Sequence, residues 1–409
     1  MVKMKNILML TTMYPSKESP LSTPVCHYFA KVWVEMGYNV HVIHYRSVFP
    51  IIFYWVRYLF RNFVTKIVGN DDGMTWPNIK DFSFTKNGVT VHSLPIFKLL
   101  PHGKYSKKTI LEQLKKIAQL NKSENFVPDL IVGHTHNPQL ELVSKLTCSY
   151  PNARSCVVIH ETNTTIIGKT YPNEYQLYID QIDILGFRSK AILEKFESLY
   201  GNVKNKFLCF SGIPENFIVD SPHRQFDDIL RSFIFVGQLI SRKFPSVIIP
   251  AIDARYIDKK YKINYIGEGI ERFSIIRMAE SLSATENIFL FGNIPRKQVI
   301  KLLDESDCML MISYGETFGL VYLEAMARGC ITIGSRGEGM VGIIDDGVNG
   351  FLCEAGNSDE LSEIIGRINL LTPSEKKRIS NNAIKTATKF SDYNVAKNYI
   401  NAVIGLNNK

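Results

Sequence analysis

Long apolar runs are missing from this sequence of 409 residues. A membrane-spanning helix needs about 18 or more consecutive residues that are mostly apolar and uncharged. The nearest candidate, residues 49–68, is interrupted by Arg57, Arg61 and Lys66, and the apolar run at residues 7–10 is too short for the core of a signal peptide. The sequence therefore predicts a cytoplasmic protein without a spanning helix, with peripheral contact at the inner face of the cell membrane left open.

Paired cysteines are missing as well. The seven cysteines are an odd number, lie far apart and form no Cys-x-x-Cys pair. This spacing argues against a disulfide framework or a zinc site, and it favours a reducing compartment.

The composition excludes disorder and leaves the binding partners open. Hydrophobic residues make up 45% of the chain and charged residues 21%, which are ordinary values for globular proteins. At roughly 150 residues per domain, the length predicts two or three domains. The net charge of +9 favours contact with anions, which could be phosphates, nucleic acid or an acidic membrane surface.

Strand patterns alternate with helical ones along most of the chain, which predicts an α/β fold. The alternation breaks at residues 211–231, where prolines and acids replace periodic apolar residues. We expect a first domain at 1–212, a linker at 213–231, a second domain at 232–385, and a C-terminal helix at 386–409 that packs back on the first domain. Ligands of open α/β sheets bind beyond the carboxyl ends of the strands, so two such domains predict a site in the cleft between them.

The segment GETFGLVYLEAMARG combines a loop, glycines and the start of a helix. In it, Glu316 and Glu324 lie eight residues apart across a Phe318-Gly319 turn that follows a buried strand. Glycine lets the backbone approach a ligand closely, and the start of a helix attracts a phosphate. Carboxylates on either side could accept hydrogen bonds from sugar hydroxyls. The pattern indicates a site for a nucleotide sugar.

This segment resembles the E-x7-E motif of the retaining glycosyltransferases of the GT-B group known as family 4. Four further stretches agree with the family in order and spacing: FVGQLISRK, INYIGEG, LFGNIP and IIDDGVNGFL. The resemblance covers nearly the whole chain and implies two Rossmann-like, doubly wound domains that face a central cleft. It also implies that the second domain binds a nucleoside-diphosphate sugar and the first binds a glycan or lipid-linked acceptor, as in the assembly of bacterial surface polysaccharides.

The resemblance assigns roles to the residues of the loop. Glu316 would hold hydroxyl groups of the donor sugar, and Glu324 would hold the hydroxyl groups of the ribose. The backbone amides of Phe318, Gly319 and Leu320 would contact the diphosphate or the sugar.

The resemblance also places a cationic group after the strand that ends at Gly237. Lys243 would lie against the donor diphosphate and stabilise charge on the departing nucleotide. The family usually has arginine directly after the glycine and another glycine after the lysine, where this chain has Gln238 and Phe244. Arg242 could supply the missing cation or could be an ordinary surface arginine.

Other matched positions have smaller roles. His160 ends a buried strand and corresponds to a family histidine near the donor, where it would orient the reacting groups, although a histidine at the edge of the core is the alternative. Gly267, Phe291 and Gly292 match turns that border the nucleotide. Residues 338–342, which replace a family stretch ending in glutamate, are expected to have no chemical role, and His134 and His136 are expected to be structural.

No Asp-x-Asp pair occurs in the chain, so we expect no metal-held diphosphate and no metal cofactor. Rival functions remain open. One is a sugar-nucleotide epimerase or a glycan phosphorylase of the same fold. Another is a non-enzymatic nucleic-acid binder, suggested only by the net charge and not by any motif, so we expect no nucleic-acid partner.

The segment at residues 49–68 contains no acidic residue and has the spacing of an amphipathic helix. The basic residues Arg57 and Arg61 fall opposite an apolar arc, which is formed by Ile52, Trp55, Val56, Leu59, Phe60, Phe63 and Ile67. Such a helix either docks on an acidic membrane or packs in the core of the first domain.

Overall fold

The computed structural model describes residues 5–16, 23–59, 78–100, 103–219 and 224–405. The chain divides into two units, one formed by Met1–Gly212 with Asp392–Lys409 and the other by Ile213–Ser391. The stretch at 213–231 that is predicted as a linker belongs to the second unit. Each unit is built on its own parallel sheet, and the predicted α/β fold with two parallel-sheet domains is confirmed.

The first unit contains a sheet of eight described strands in the order β3-β4-β2-β1-β5-β6-β7-β8. Neighbouring strands are parallel except β3 and β4, which form an antiparallel hairpin at one edge. The hairpin turns at Asn87 and Gly88, whose φ angles of 51° and 77° are those of a tight turn that matches strand twist. The strands are β1 (Asn6–Thr11), β2 (Asn39–Val48), β3 (Phe82–Lys86), β4 (Val89–Phe97), β5 (Leu130–His134), β6 (Arg154–Ile159), β7 (Ile184–Phe187) and β8 (Lys206–Leu208).

The helices of the first unit follow the periodicity of their apolar residues. In the first helix, Cys26, Phe29, Ala30 and Trp33 recur every three or four residues and are buried. This helix ends before Gly37, whose φ of 89° is left-handed, a conformation that glycine commonly adopts after the end of a helix. The helices are α1 (Val25–Glu35), α2 (Ile51–Leu59), α3 (Lys107–Ser123), α4 (Gln139–Ser149), α5 (Thr165–Thr170), α6 (Tyr175–Asp180) and α7 (Lys190–Tyr200).

The second unit contains six described strands, all parallel, in the order β11-β10-β9-β12-β13-β14. Its central strands are mostly apolar and buried, as expected for a parallel sheet covered on both faces. The strands are β9 (Ser232–Val236), β10 (Lys262–Ile266), β11 (Ile288–Gly292), β12 (Cys308–Leu310), β13 (Ile331–Ser335) and β14 (Phe351–Cys353). The helices are α8 (Ile248–Asp253), α9 (Arg272–Ser281), α10 (Arg296–Asp304), α11 (Leu320–Ala327), α12 (Ser358–Asn369) and α13 (Pro373–Thr388).

The last helix, α14 (Asp392–Ile404), belongs to the first unit. It packs against α1, where the indole Nε1 of Trp33 donates a hydrogen bond of 3.0 Å to the carbonyl of Ala396. The ring of Tyr399 meets the same indole edge-on, with 5.1 Å between the ring centroids. The first unit is therefore built from both ends of the chain.

All seven cysteines are free thiols, and six of them are buried. Among the residues that the structure describes, no helix has the length and apolar character needed to cross a membrane.

Candidate functional site

The matched residues of the second unit collect at the carboxyl edge of its sheet. Gly237 and Gly267 directly follow β9 and β10, and Gly292 ends β11. The loop that carries Glu316 follows β12, and Glu338 follows β13. Because all these strands are parallel, their carboxyl ends lie at one edge, which is where ligands of such sheets bind.

Two of the glycines allow a close approach between backbone turns. The amide of Gly237 donates to the carbonyl of Ile266 at 2.9 Å, and the amide of Gly267 donates to the carbonyl of Gly292 at 2.8 Å. A Cβ on Gly267 would lie 2.0 Å from the carbonyl oxygen of Gly237. Only glycine fits at position 267, and the three turns therefore form one hydrogen-bonded rim beside the exposed ring of Phe291.

Glu316 lies between the cationic side chains of Lys243, which the resemblance assigns to the donor diphosphate, and Arg242, for which the sequence leaves open a substitute cation or a surface arginine. Its Oε2 atom is 3.4 Å from Lys243 Nζ and 3.6 Å from Arg242 Nη1. Arg242 Nη1 also donates to the carbonyls of Tyr314 and Gly315, both at 3.3 Å, and so holds the start of the loop. Glu316 and Lys243 are largely buried, whereas Arg242 is 43% exposed. The structure thus brings Glu316, Lys243 and Arg242 together.

Lys243 lies in the segment that follows β9, and this segment begins with the turn at Gly237. A Cβ on Gly237 would lie 3.1 Å from Lys243 Nζ, so the glycine leaves room for the ammonium group. Burial lowers the pKa of Lys243, and the neighbouring Glu316 carboxylate opposes that shift. An incoming anion would therefore compete with Glu316 for a cation that is already largely removed from water.

Phe244 departs from the family pattern in sequence and lies in an unusual conformation. Its φ of 48° and ψ of 44° are left-handed, a region that favours glycine. Its ring packs against Gly356, where an added Cβ would lie 3.0 Å from the ring. The backbone is therefore in a conformation that glycine adopts without strain, and packing of the ring offsets the strain at Phe244.

The turn before α11 also requires glycine. Gly319 has φ 83°, and a Cβ at this position would lie 2.4 Å from the ring of Tyr322. Phe318 is buried, and Leu320 is the first residue of α11. The three predicted backbone contacts thus lie where the loop enters the helix.

Glu324, the second acid of the E-x7-E pair, is buried on α11 and forms an ion pair with Arg296. Burial raises the pKa of Glu324, and Arg296 opposes that shift. The guanidinium group of Arg296 also lies over the ring of Phe217, 4.6 Å from its centroid. Arg296 is a functional candidate that sequence reasoning missed, because no local pattern links residues 296 and 324.

Glu338 is a second residue that sequence reasoning missed. Its Oε2 atom accepts a hydrogen bond of 2.9 Å from the backbone amide of Glu316. The next residue, Gly339, lies so close to the loop that a Cβ there would be 2.6 Å from the Cα of Phe318. The GEG triplet after a buried strand is the signal that could have located this positioning residue.

His160 lies in the first unit, directly after β6, and is paired with another histidine. Its Nε2 atom is 3.0 Å from Nδ1 of His134, the last residue of β5. Burial lowers the pKa of His134 to about 3 and the pKa of His160 well below its usual range, so both rings are neutral at neutral pH. Beside them, His136 Nδ1 lies 2.7 Å from Glu161 Oε1. The predicted catalytic histidine is thus part of a buried polar cluster at the carboxyl edge of the first sheet.

Comparison with known proteins supports the class of protein that the E-x7-E motif indicates. Residues 221–386 match the sequence model of the family "Glycosyl transferases group 1". N-acetyl-alpha-D-glucosaminyl L-malate synthase of Bacillus anthracis is 24% identical over 290 residues, which are 67% of this chain and 72% of that protein.

Solved structures share the fold over nearly the whole chain. HepE of Anabaena in complex with UDP has a TM-score of 0.68 at 15% identity, covering 98% of this chain and 100% of that chain. The same protein in complex with UDP-glucose has a TM-score of 0.64 at 15% identity and the same coverage. A glycosyltransferase from Rickettsia africae has a TM-score of 0.68 at 16% identity and covers 100% of both chains. This chain is therefore a glycosyltransferase with the GT-B fold, and residues 221–386 match the sequence model of group 1.

Proposed function

We propose that the protein is a retaining glycosyltransferase of the family 4 type that takes its sugar from a nucleoside diphosphate. The observation that carries the proposal is the placement of Glu316 between Lys243 and Arg242 at the carboxyl edge of the second sheet. This arrangement offers cations to a diphosphate and a carboxylate to sugar hydroxyls within one loop. The UDP and UDP-glucose complexes of HepE support a nucleotide-sugar donor.

The proposed reaction exchanges one glycosidic bond for another at the anomeric carbon. The bond from that carbon to the diphosphate oxygen breaks, and a bond to the acceptor hydroxyl oxygen forms on the same face of the ring. The departing phosphate oxygen accepts the proton of the acceptor hydroxyl, so no protein nucleophile is needed. Lys243 and Arg242 stabilise the negative charge that builds on the leaving group, and Glu316 orients the sugar.

The acceptor is proposed to be a glycan or a lipid-linked glycan, and the setting is the assembly of a bacterial surface polysaccharide. His160 is proposed to orient the reacting groups as a neutral hydrogen-bonding ring. A screen of nucleoside-diphosphate sugars with short glycan acceptors tests the proposal, with NMR of the product reporting its anomeric configuration. Isomerisation of the donor without transfer would instead establish an epimerase, and phosphate-dependent cleavage of a glycan would establish a phosphorylase.

Transfer is proposed to need no divalent metal, because cationic side chains stand where a diphosphate would bind and the chain has no Asp-x-Asp pair. We expect the initial rate of transfer to survive an excess of EDTA and to change little when Mg²⁺ or Mn²⁺ is added. The assay should be run well below the melting temperature of the EDTA-treated protein, so that any loss of a structural ion does not affect the rate. Complete loss of activity that only Mg²⁺ or Mn²⁺ restores would contradict this prediction.

Peripheral contact with an acidic membrane is proposed for α2. This helix contains no acidic residue, and large apolar side chains on it are exposed to solvent, among them Trp55 at 50% and Leu59 at 68%. The remaining predicted contributors (Phe60, Arg61, Phe63, Ile67 and the side chains of Val56 and Arg57) lie outside the described residues. An apolar helix surface next to basic residues is typical of interfacial helices.

Co-sedimentation with liposomes tests this contact. Trp55→Ser with Leu59→Ser should reduce binding to vesicles of acidic lipid by about tenfold at low and at physiological salt, because each replacement removes buried apolar area. Ile257→Ser with Leu370→Ser is the matched control, since both residues are strongly exposed in the second unit. If the control lowers binding equally, or the unaltered protein does not sediment with acidic vesicles, the proposed membrane contact is wrong.

A further inference from the structure

Two histidines and one glutamate of the first unit converge away from the carboxyl edge of its sheet. His41 lies near the amino end of β2, and His92 lies on the neighbouring strand β4. In the parallel register Ile43 is opposite His92, so His41 and His92 are diagonal neighbours on the same face of the sheet. Glu124 caps the carboxyl end of α3. We call these three residues the His41–His92–Glu124 cluster.

The distances within the cluster are those of a metal site. Glu124 Oε2 lies 3.1 Å from His41 Nδ1 and 3.3 Å from His92 Nε2. The three ligand atoms all lie within 4.8 Å of one another. Ligands of a tetrahedral Zn²⁺ at bond lengths of 2.0–2.1 Å are separated by about 3.3 Å, so these atoms need little movement to bind one ion.

The ring of His92 is held in the orientation that a ligand requires. Its Nδ1 atom is 2.8 Å from Ser83 Oγ, the residue opposite it on β3. Its Nε2 atom is buried and makes no hydrogen bond within the described part of the chain. A histidine that ligates a metal through one nitrogen commonly donates its other N–H group to a neighbouring oxygen, which fixes the tautomer. Ser83 is placed to accept that hydrogen bond.

His41 and Glu124 are positioned by the end of α3. Asn125 follows Glu124 in a left-handed conformation with φ 50°, which ends the helix and reverses the chain. The next residue, Phe126, then stacks on the imidazole of His41, with 3.9 Å between the ring centroids. The same turn therefore fixes one ring and presents one carboxylate, while Glu124 stays accessible enough for an ion to enter.

We propose that the His41–His92–Glu124 cluster binds a divalent transition-metal ion, Zn²⁺ foremost, with water as a fourth ligand. Two imidazole nitrogens and a carboxylate oxygen are a ligand set suited to Zn²⁺ and poorly suited to Mg²⁺ or Ca²⁺. The ion would tie β2, β4 and the end of α3 together and would be structural. This site differs from the cysteine-based zinc site that the sequence argues against, and it leaves the proposed metal-independent transfer unchanged.

Zinc titration of the full chain, without an affinity tag and after treatment with a chelator, tests the proposal. Competition with a chromophoric chelator should show one Zn²⁺ per chain. His92→Ala and Glu124→Gln should each weaken the affinity by at least about 10-fold, and Ser83→Ala should weaken it by about 10-fold through the orientation of His92. His44→Gln is the matched control, because His44 lies on the same strand outside the cluster.

A second readout separates metal binding from an ordinary ion pair. At a fixed Zn²⁺ concentration, the melting temperature should rise in the unaltered protein and in His44→Gln, and should rise clearly less in Glu124→Gln. Co²⁺ in place of Zn²⁺ should give the intense visible absorption of a tetrahedral site. Absence of Zn²⁺ binding, or equal affinity of the folded Glu124→Gln variant, would overturn the proposal and leave the cluster as a histidine–carboxylate ion pair.

Discussion

Replacing Glu316 with Gln should lower kcat/KM for transfer by about 10², which corresponds to about 2.7 kcal/mol of transition-state stabilisation. The carboxylate is proposed to hold hydroxyl groups of the donor sugar, and the amide accepts fewer and weaker hydrogen bonds. Steady-state kinetics with the best donor of the screen measures the effect. The melting temperature of the variant should be measured in parallel, because Glu316 is largely buried and neighbours two cations.

The same variant should bind the free nucleoside diphosphate at least as tightly as the unaltered protein. Glu316 lies within ion-pair distance of Lys243 and Arg242, so removal of its charge leaves both cations more available to the diphosphate. Loss of turnover with retained nucleotide affinity would distinguish sugar orientation from general damage to the site. Glu363→Gln, at an exposed carboxylate on α12, is the matched control. Near-normal turnover of a folded Glu316→Gln variant would contradict the proposed role.

Replacing Lys243 with Ala should weaken the binding of the free nucleoside diphosphate and should lower turnover, each by about 10-fold to 100-fold. The cation is largely buried, and a charge in such surroundings interacts with an anion more strongly than a charge in water. Isothermal titration with the nucleotide and steady-state kinetics measure the two effects. Arg242→Ala should have the smaller effect, because Arg242 is 43% exposed.

The pH dependence provides an independent test of Lys243. Burial lowers its pKa below the usual 10.5 even though Glu316 opposes the shift. The ammonium form is the active one, so turnover should decline as the pH rises through that lowered pKa, and the decline should be absent in Lys243→Ala. Lys301→Ala, at a side chain that is 76% exposed, serves as the control and should retain the decline. Unchanged nucleotide affinity and rate in Lys243→Ala would move the role to Arg242.

The strands and the main loop were predictable from the sequence because their signals are local. Apolar runs that end in glycine locate β9, β10 and β11, and the E-x7-E spacing locates Glu316 and Glu324. The β3–β4 hairpin was missed, although its Asn87-Gly88 pair is a strong local turn signal.

Other parts of the site could not be predicted because they join distant residues. Arg296 pairs with Glu324 across 28 positions, and Glu338 accepts the amide of Glu316 across 22 positions. Neither contact follows a helix or strand period, so only the folded arrangement of neighbouring strands creates it. The His41–His92–Glu124 cluster was hidden for the same reason, since its residues lie on two strands and a helix end that are far apart in the sequence.

The contribution of α14 to the first unit has a consequence for the order of events during synthesis. The second unit is inserted between residues 212 and 392 of the first. On a ribosome, residues 213–391 emerge in full before the indole of Trp33 can meet its partner Ala396. The second unit can therefore finish folding while the first unit is still incomplete. Until α14 is synthesised, the face of α1 that α14 covers stays exposed. A nascent chain halted before α14 would expose that face, and chaperones would be expected to recognise it.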